Sequence, residues 1–367
     1  MKIRIFLVFI LLFAAYVANA FIDPFPAGKV SSRLRSNNNV KYGVSWSFEQ
    51  AGWYGLDPRE SYVALLDRTK FDWVRLPFFW DQMTDSYGNL KIDDLKFAIE
   101  EARKRNIKVI IALGAKTPYY PEYHFPKGIL ERVKFGDTFN VDHLIVHDLL
   151  EIDKKLVGEL SGYDNIVYWQ VENEPFLANV NNWKIDKNLL AAEIDVVRNT
   201  DAKKRPIILT TASHPSFDKR YEPLLELLKP EDVLGTSAYF KIKGVYLFAF
   251  PFFSKKVVVP WPNFLDWPVD SWLFLSPDYR GVIKDAAAKN IDVWAIEVQA
   301  DPYIRILEDA KRNNFSFNAD DITKADRFIR SIGFRNVGLW GGPFWMYRES
   351  IGDKSWIDAI SRLTIND

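Results

Sequence analysis

Short apolar runs of β type recur along this chain, and most are followed by a segment whose apolar residues repeat at helical spacing. Eight runs stand out: Lys41–Ser45, Trp73–Pro77, Lys108–Leu113, Ile166–Val171, Pro206–Thr210, Val233–Ala238, Asp292–Val298 and Val337–Trp340. Val109-Ile110-Ile111-Ala112-Leu113 is unbroken rather than alternating, the pattern of a parallel strand covered on both faces. Between the runs, Asp93–Lys104 is representative: Leu95, Ala98, Ile99 and Ala102 share one helical face, and Lys96, Glu100, Arg103 and Lys104 share another. Strand and helix alternating eight times predict an α/β fold, a (β/α)8 TIM barrel spanning residues 41–367. The competing arrangement, a doubly wound open sheet, calls for a glycine-rich phosphate loop after an early strand, and the sequence has none.

The first forty residues follow a different pattern. Lys2 and Arg4 precede a continuous apolar stretch from Ile5 to Ala18, and Ala18-Asn19-Ala20 supplies a small-x-small cleavage site. Residues 1–20 therefore read as an export signal, either cleaved or kept as an anchor, because apolar character continues through Phe21 and Ile22. Residues 21–40 read as a linker, with a polar stretch from Ser31 to Asn39. The expected location is secreted or extracytoplasmic, with an uncleaved segment tethering the protein to the membrane.

Composition narrows the function. At 48% hydrophobic and 15% aromatic residues, the chain has ample material for a core, which excludes general disorder. Lys plus Arg equals Asp plus Glu, 48 of each, so no long-range field draws nucleic acid; an uncharged glycan suits that balance. The absence of cysteine removes disulfides, thiolate catalysis and thiolate metal sites together. His143 and His147 have the spacing of a zinc pair on a predicted helix, but Leu144 stands where the HExxH motif has its glutamate, so neither metal nor cofactor is expected.

In a barrel of this kind the functional groups sit at the carboxyl ends of the strands. Arg75 lies in the second run, Glu174 just past the fourth, Tyr239 just past the sixth and Glu297 near the end of the seventh, while Trp340 closes the eighth. Each alone reads equally well as a solvated or packing residue. Together they bring two carboxyls to one rim, the minimum equipment for cleaving a glycosidic bond: one protonates a poor leaving group and the other meets the developing oxocarbenium charge. His214, after the fifth run, reads as a cleft residue or as a loop residue capping the next helix.

Glu172-Asn173-Glu174-Pro175 is the most specific element, and with Val74-Arg75-Leu76-Pro77, Tyr239 and Glu297 the chain from about Lys41 onward resembles clan A of the retaining glycoside hydrolases, the cellulase-like (family 5-like) barrels. The resemblance implies Glu174 as general acid/base and Glu297 as nucleophile. It further implies Arg75 and Tyr239 as partners of Glu297, Asn173 as a ligand of the sugar 2-hydroxyl, and Trp340 or Trp345 as the aromatic platform. Asn173 read without it is a turn residue before Pro175. An extended strand would point Glu172 and Glu174 the same way; the clan pattern assigns catalysis to the Glu after Asn, leaving Glu172 structural. Retention would set the two carboxyls roughly 5–5.5 Å apart. The chain departs from the cellulase-like pattern at Gly114-Ala115-Lys116 and at Ser237, places where histidines are common.

Phe240 to Pro277, after the sixth run, is an insertion dense in aromatic residues. It reads as a lid or subsite wall. Its apolar run, continuing through Lys255-Lys256, reads alternatively as a membrane-contacting flap over residues 245–256. The expected activity is hydrolysis of a poly- or oligosaccharide. The rivals are a carbohydrate-binding pseudoenzyme and a transglycosylase or glycolipid-acting enzyme at the membrane surface.

Overall fold

The computed structural model describes residues 40–365 except 179–180, 214–216, 242–245, 253–254, 261–276 and 305, with backbone alone over 246–252 and 255–260. The N-terminal segment, the linker, His214 and most of the aromatic insertion lie outside the described residues.

Eight parallel strands close into a barrel. They are β1 (Lys41–Ser45), β2 (Trp73–Pro77), β3 (Lys108–Leu113), β4 (Ile166–Val171), β5 (Ile207–Thr211), β6 (Val233–Ala238), β7 (Asp292–Gln299) and β8 (Asn336–Trp340). Each pairs with its neighbours in sequence and β8 closes on β1, for example Tyr42 opposite Val337 and Ser45 opposite Arg75. All eight predicted runs are strands, with bounds shifted by at most a residue at β5, β7 and β8, because strands covered on both faces must be apolar throughout.

The floor of the barrel is filled by Trp73, Ile110, Ile208, Val233, Trp294 and Ile296, with the Trp73 and Trp294 rings 5.9 Å apart. Trp73 is too large for the lumen unless its neighbours yield space. A Cβ at Gly43 would meet its ring at 2.0 Å, and one at Gly338 would meet it at 2.5 Å, so both positions require glycine. The packed floor leaves only the strand carboxyl ends open for chemistry.

Helices form where caps and apolar faces agree. Pro58–Arg68 starts at Asp57, whose carboxylate accepts from the Arg59 and Glu60 N–H groups. Ala319–Ile332 starts with an Asn318/Asp321 capping box and stops at Gly333 in the left-handed conformation. Asp93–Lys104 buries the predicted Leu95, Ala98, Ile99 and Ala102 against the barrel. Thr138–Phe139 pairs with Lys184–Ile185 and ties the loop after β3 to the loop after β4. After β6 the insertion contains an antiparallel hairpin, Tyr246–Phe252 with Lys255–Pro260. No helix among the described residues is long and apolar enough to cross a membrane.

Candidate active site

β2 delivers Arg75 into the lumen directly above the tryptophan floor. Its side chain is fully buried and donates in three directions: Nε to Ser45 Oγ at 2.8 Å, Nη1 to Gln170 Oε1 at 3.3 Å and Nη2 to Glu297 Oε2 at 2.6 Å. Tyr239 donates its hydroxyl to the other oxygen, Glu297 Oε1, at 2.6 Å. Burial and the Glu297 charge hold the Tyr239 phenol well above its usual range, so it keeps the proton it donates. Both contacts fit an ionised Glu297.

Glu297 reaches this position through an irregularity in β7. Trp294 and Ile296 belong to the lumen cluster while Ala295 and Val298 pack outward, so strict alternation would send residue 297 outside. The register with β6 shifts between Ala295 and Glu297, and this bulge turns the carboxylate back into the barrel mouth.

Opposite it, β4 ends at Val171, and the next residues do not stay extended: Glu172 and Glu174 both take positive φ, 60° and 48°. Strained backbone of this kind persists only where contacts hold it. The expectation that Glu172 and Glu174 point the same way therefore fails. Glu172 is fully buried and turns toward β3, accepting from the Ala115 and Lys116 N–H groups at 2.6 Å each. Glu174 turns toward β5 and β6. Its N–H donates to Thr210 Oγ1 at 2.8 Å, and Ser237 Oγ donates to its carboxyl. Burial pushes Glu174 up to about 7; the nearby Lys116 cation opposes this shift and the Glu297 charge adds to it.

Asn173 is held between them, its Oδ1 accepting from Gln170 Nε2 at 3.2 Å and lying 3.4 Å from Thr210 Oγ1. Its Nδ2 donor has no partner among the described residues. Gln170 thus bridges Arg75 and Asn173. It was not singled out from sequence, although a lone amide inside the apolar run Ile166–Val171 was the available signal.

Lys116 was also missed as a site component. Fully buried, it donates from Nζ to the Glu174 and Leu177 carbonyls at 3.0 Å each and fastens the turn that carries Glu174. Behind it, Glu193 and Asp153 are fully buried and held well above the usual carboxylate range by burial and the Glu172 charge, so a protonated Glu193 can donate to Glu172. Gly114, at φ 114°, makes room for this network; a Cβ there would meet Glu172 Oε1 at 2.5 Å. Gly114→Ala is expected to cost about 2–4 kcal/mol in denaturant unfolding, through backbone strain and loss of the two backbone donors to Glu172.

The two candidate platforms separate. Trp340 lies at the barrel mouth with the Arg75 guanidinium 5.7 Å from its ring centre. Trp345 is fully buried on the helix Gly342–Ser350 and donates Nε1 to the Ala300 carbonyl at 2.7 Å, so it shows no face to a sugar. The expectation that it could be the platform is corrected: an indole at the barrel rim was legible, but whether it faces the cleft or the protein was not. His143 precedes the helix Val146–Leu160 instead of lying on it, with Nε2 3.4 Å from Asp137 Oδ2.

The arrangement places a carboxyl fixed by two donors and a second, buried carboxyl raised to about 7 at one barrel mouth, above a packed floor. The family model of cellulase, glycosyl hydrolase family 5, matches residues 35–240. No curated protein matches the chain. Among solved structures, the fold is similar to that of a GH5_18 protein from Streptomyces cattleya bound to GlcNAc, at 13% identity over 88% of this chain and 79% of that one, TM-score 0.53. It is also similar to a GH5-4 broad-specificity endoglucanase from an uncultured bovine rumen ciliate, at 15% identity over 84% and 86%, TM-score 0.50. An exo-β-1,4-mannosidase from Opitutaceae bacterium strain TAV5 matches at 12% identity over 82% of this chain and 51% of that one, TM-score 0.53. The closed barrel and the family match over more than half of the chain agree: this protein belongs to the cellulase family, glycosyl hydrolase family 5, and is a glycoside hydrolase.

Proposed function

We propose that this glycoside hydrolase is a retaining β-glycosidase acting on an oligo- or polysaccharide by double displacement, with Glu297 as nucleophile and Glu174 as general acid/base. The observation that carries the reading is the opposite treatment of the two carboxyls. Glu297 receives two donors suited to its anion, while burial keeps the proton on Glu174 up to about pH 7.

In the first step a Glu297 oxygen attacks the anomeric carbon, the bond from that carbon to the glycosidic oxygen breaks, and the Glu174 proton passes to the departing oxygen. Arg75 and Tyr239, which hold the attacking carboxylate, orient it through this step. In the second step Glu174, now ionised, takes a proton from water, whose oxygen displaces Glu297. Asn173 Nδ2 is available to the sugar 2-hydroxyl, a contact that strengthens as positive charge builds on the ring. Trp340 stands at the same end, with the Arg75 guanidinium 5.7 Å from its ring centre.

Stereochemistry tests this reading. Proton NMR of a turned-over aryl β-glycoside, drawn from a panel of glucosides, mannosides, galactosides and xylosides, should show the β-anomer as the first product; first appearance of the α-anomer would sink the retaining mechanism. The pH profile is a second check. Glu174 has a raised folded-state pKa, so its acid form is present below about 7 and lost above it, and kcat/KM should fall on the alkaline side with an apparent pKa near 7.

A further inference from the structure

The loop after β3 crosses the barrel mouth and sets an aromatic ring on the Trp340 platform. Tyr119 lies 4.1 Å from the Trp340 ring centre at a 32° tilt, and its edge meets Phe79 at 6.5 Å. A pyranose needs about the same separation from an aromatic face, so no sugar fits between these two rings. Tyr119 is 5% exposed. The turn that carries it is closed by hydrogen bonds from Glu122 N to the Tyr119 carbonyl at 2.7 Å and from Thr117 N to the Glu122 carbonyl at 2.8 Å.

The Tyr119 hydroxyl is buried and has no hydrogen-bond partner among the described residues. The Trp340 ring beneath it has the Arg75 guanidinium 5.7 Å from its centre, and Arg75 in turn holds Glu297, so the phenol stands at the nucleophile's end of the cleft. A second group waits in the same place. Asp301, two residues past β7, is 2% exposed; its Oδ1 accepts from the Tyr303 N–H at 2.9 Å, and no other partner for the carboxyl occurs among the described residues. Two buried polar groups short of partners at this end of the cleft are fitted to sugar hydroxyls.

The side of the cleft follows from topology. Glu174 faces Ser237 and Thr210, on β6 and β5, so the leaving group departs over that half of the barrel. Phe79 follows β2 and Trp340 ends β8, the strands that flank β1 on the opposite half. Tyr119 therefore stands on the glycone side.

We propose that Tyr119 closes the glycone side of the cleft after one sugar, so that the enzyme releases single residues from non-reducing ends, with the Tyr119 hydroxyl and Asp301 binding that terminal sugar. This rests on the double-displacement reading above and adds its substrate class, the chain end.

The test uses pentasaccharides of β-1,4-linked glucose and of β-1,4-linked mannose labelled at the reducing end. Wild-type enzyme should convert one of them to labelled tetrasaccharide first, with free monosaccharide as the only unlabelled product. Tyr119→Gly suits the φ of 82° at this position and removes the wall; it should yield labelled di- and trisaccharide from the earliest time points, at a tenth or more of total product. Tyr119→Phe keeps the ring and should retain single-sugar release with KM raised roughly 3- to 10-fold, the worth of one neutral hydrogen bond.

Mixed product lengths from the wild type, or tetrasaccharide alone from folded Tyr119→Gly, overturn the wall and leave double displacement standing. Failure to attack either pentasaccharide while aryl β-glycosides are hydrolysed overturns it as well. Failure on aryl glycosides too would remove the underlying mechanism and the proposal together.

Discussion

Glu297→Gln is expected to lower kcat on every substrate by roughly 10⁴- to 10⁶-fold, the range in which loss of a covalent nucleophile falls. Glutamine fills the same volume and keeps a carbonyl for Tyr239 or Arg75, so the site stays in shape while the attacking anion is gone. The loss should be independent of leaving group, because no substrate can form the glycosyl-enzyme without it. Arg75 is fully buried and would lose its anionic partner, so a lower melting temperature should accompany the change. Steady-state kinetics on the aryl β-glycoside panel, with circular dichroism to verify folding, checks this outcome. Residual activity above a hundredth of wild type would exclude Glu297 as nucleophile.

Glu174→Ala should behave differently, and the difference carries its assignment. Protonation of the leaving oxygen contributes about 10²- to 10⁴-fold, so turnover of an unactivated glycoside should fall by that amount. A dinitrophenyl leaving group is stable as an anion and needs no proton, so its departure should stay close to wild-type speed. The following hydrolysis lacks its general base, and the glycosyl-enzyme should accumulate, seen as a burst of phenolate in rapid-mixing experiments. The alkaline limb of the pH profile should vanish with the carboxyl that titrates there. An equal fall across all leaving groups would reassign Glu174 to a structural role and point to Glu172, two residues earlier, as the group to examine next. The present geometry disfavours that outcome: Glu172 spends both oxygens on backbone donors of the β3 loop and is fully buried, whereas Glu174 keeps a face toward the cleft.

These expectations depend on features of unequal legibility. Trp340 and Trp345 look alike in the sequence, two indoles close to the end of the last strand. Their roles separate because a glycine at 341 in the left-handed region starts a helix that carries Trp345 back against Ala300. Ser237 stood out from sequence only as a departure from a familiar histidine; in the fold it holds the Glu174 carboxyl. Lys116, another departure, is fully buried and reaches the two carbonyls that fasten the Glu174 turn. Nothing local to either residue encodes these contacts, which join positions more than fifty residues apart.

The sequence by itself determined the barrel, its strand bounds to within a residue and the two carboxyls with their strand ends. A strand covered on both faces must be apolar along its whole length, and the (β/α)8 arrangement confines chemistry to one rim, so composition along the chain is enough to place them. Orientation was decided only by the tertiary structure. The bulge that turns Glu297 inward, the left-handed residues that part Glu172 from Glu174, and the Tyr119 ring laid on Trp340 all arise where backbone departs from regular geometry under contacts from distant strands. Periodicity describes regular backbone alone, so at those few positions the direction of a side chain is set by packing and not by its place in the repeat.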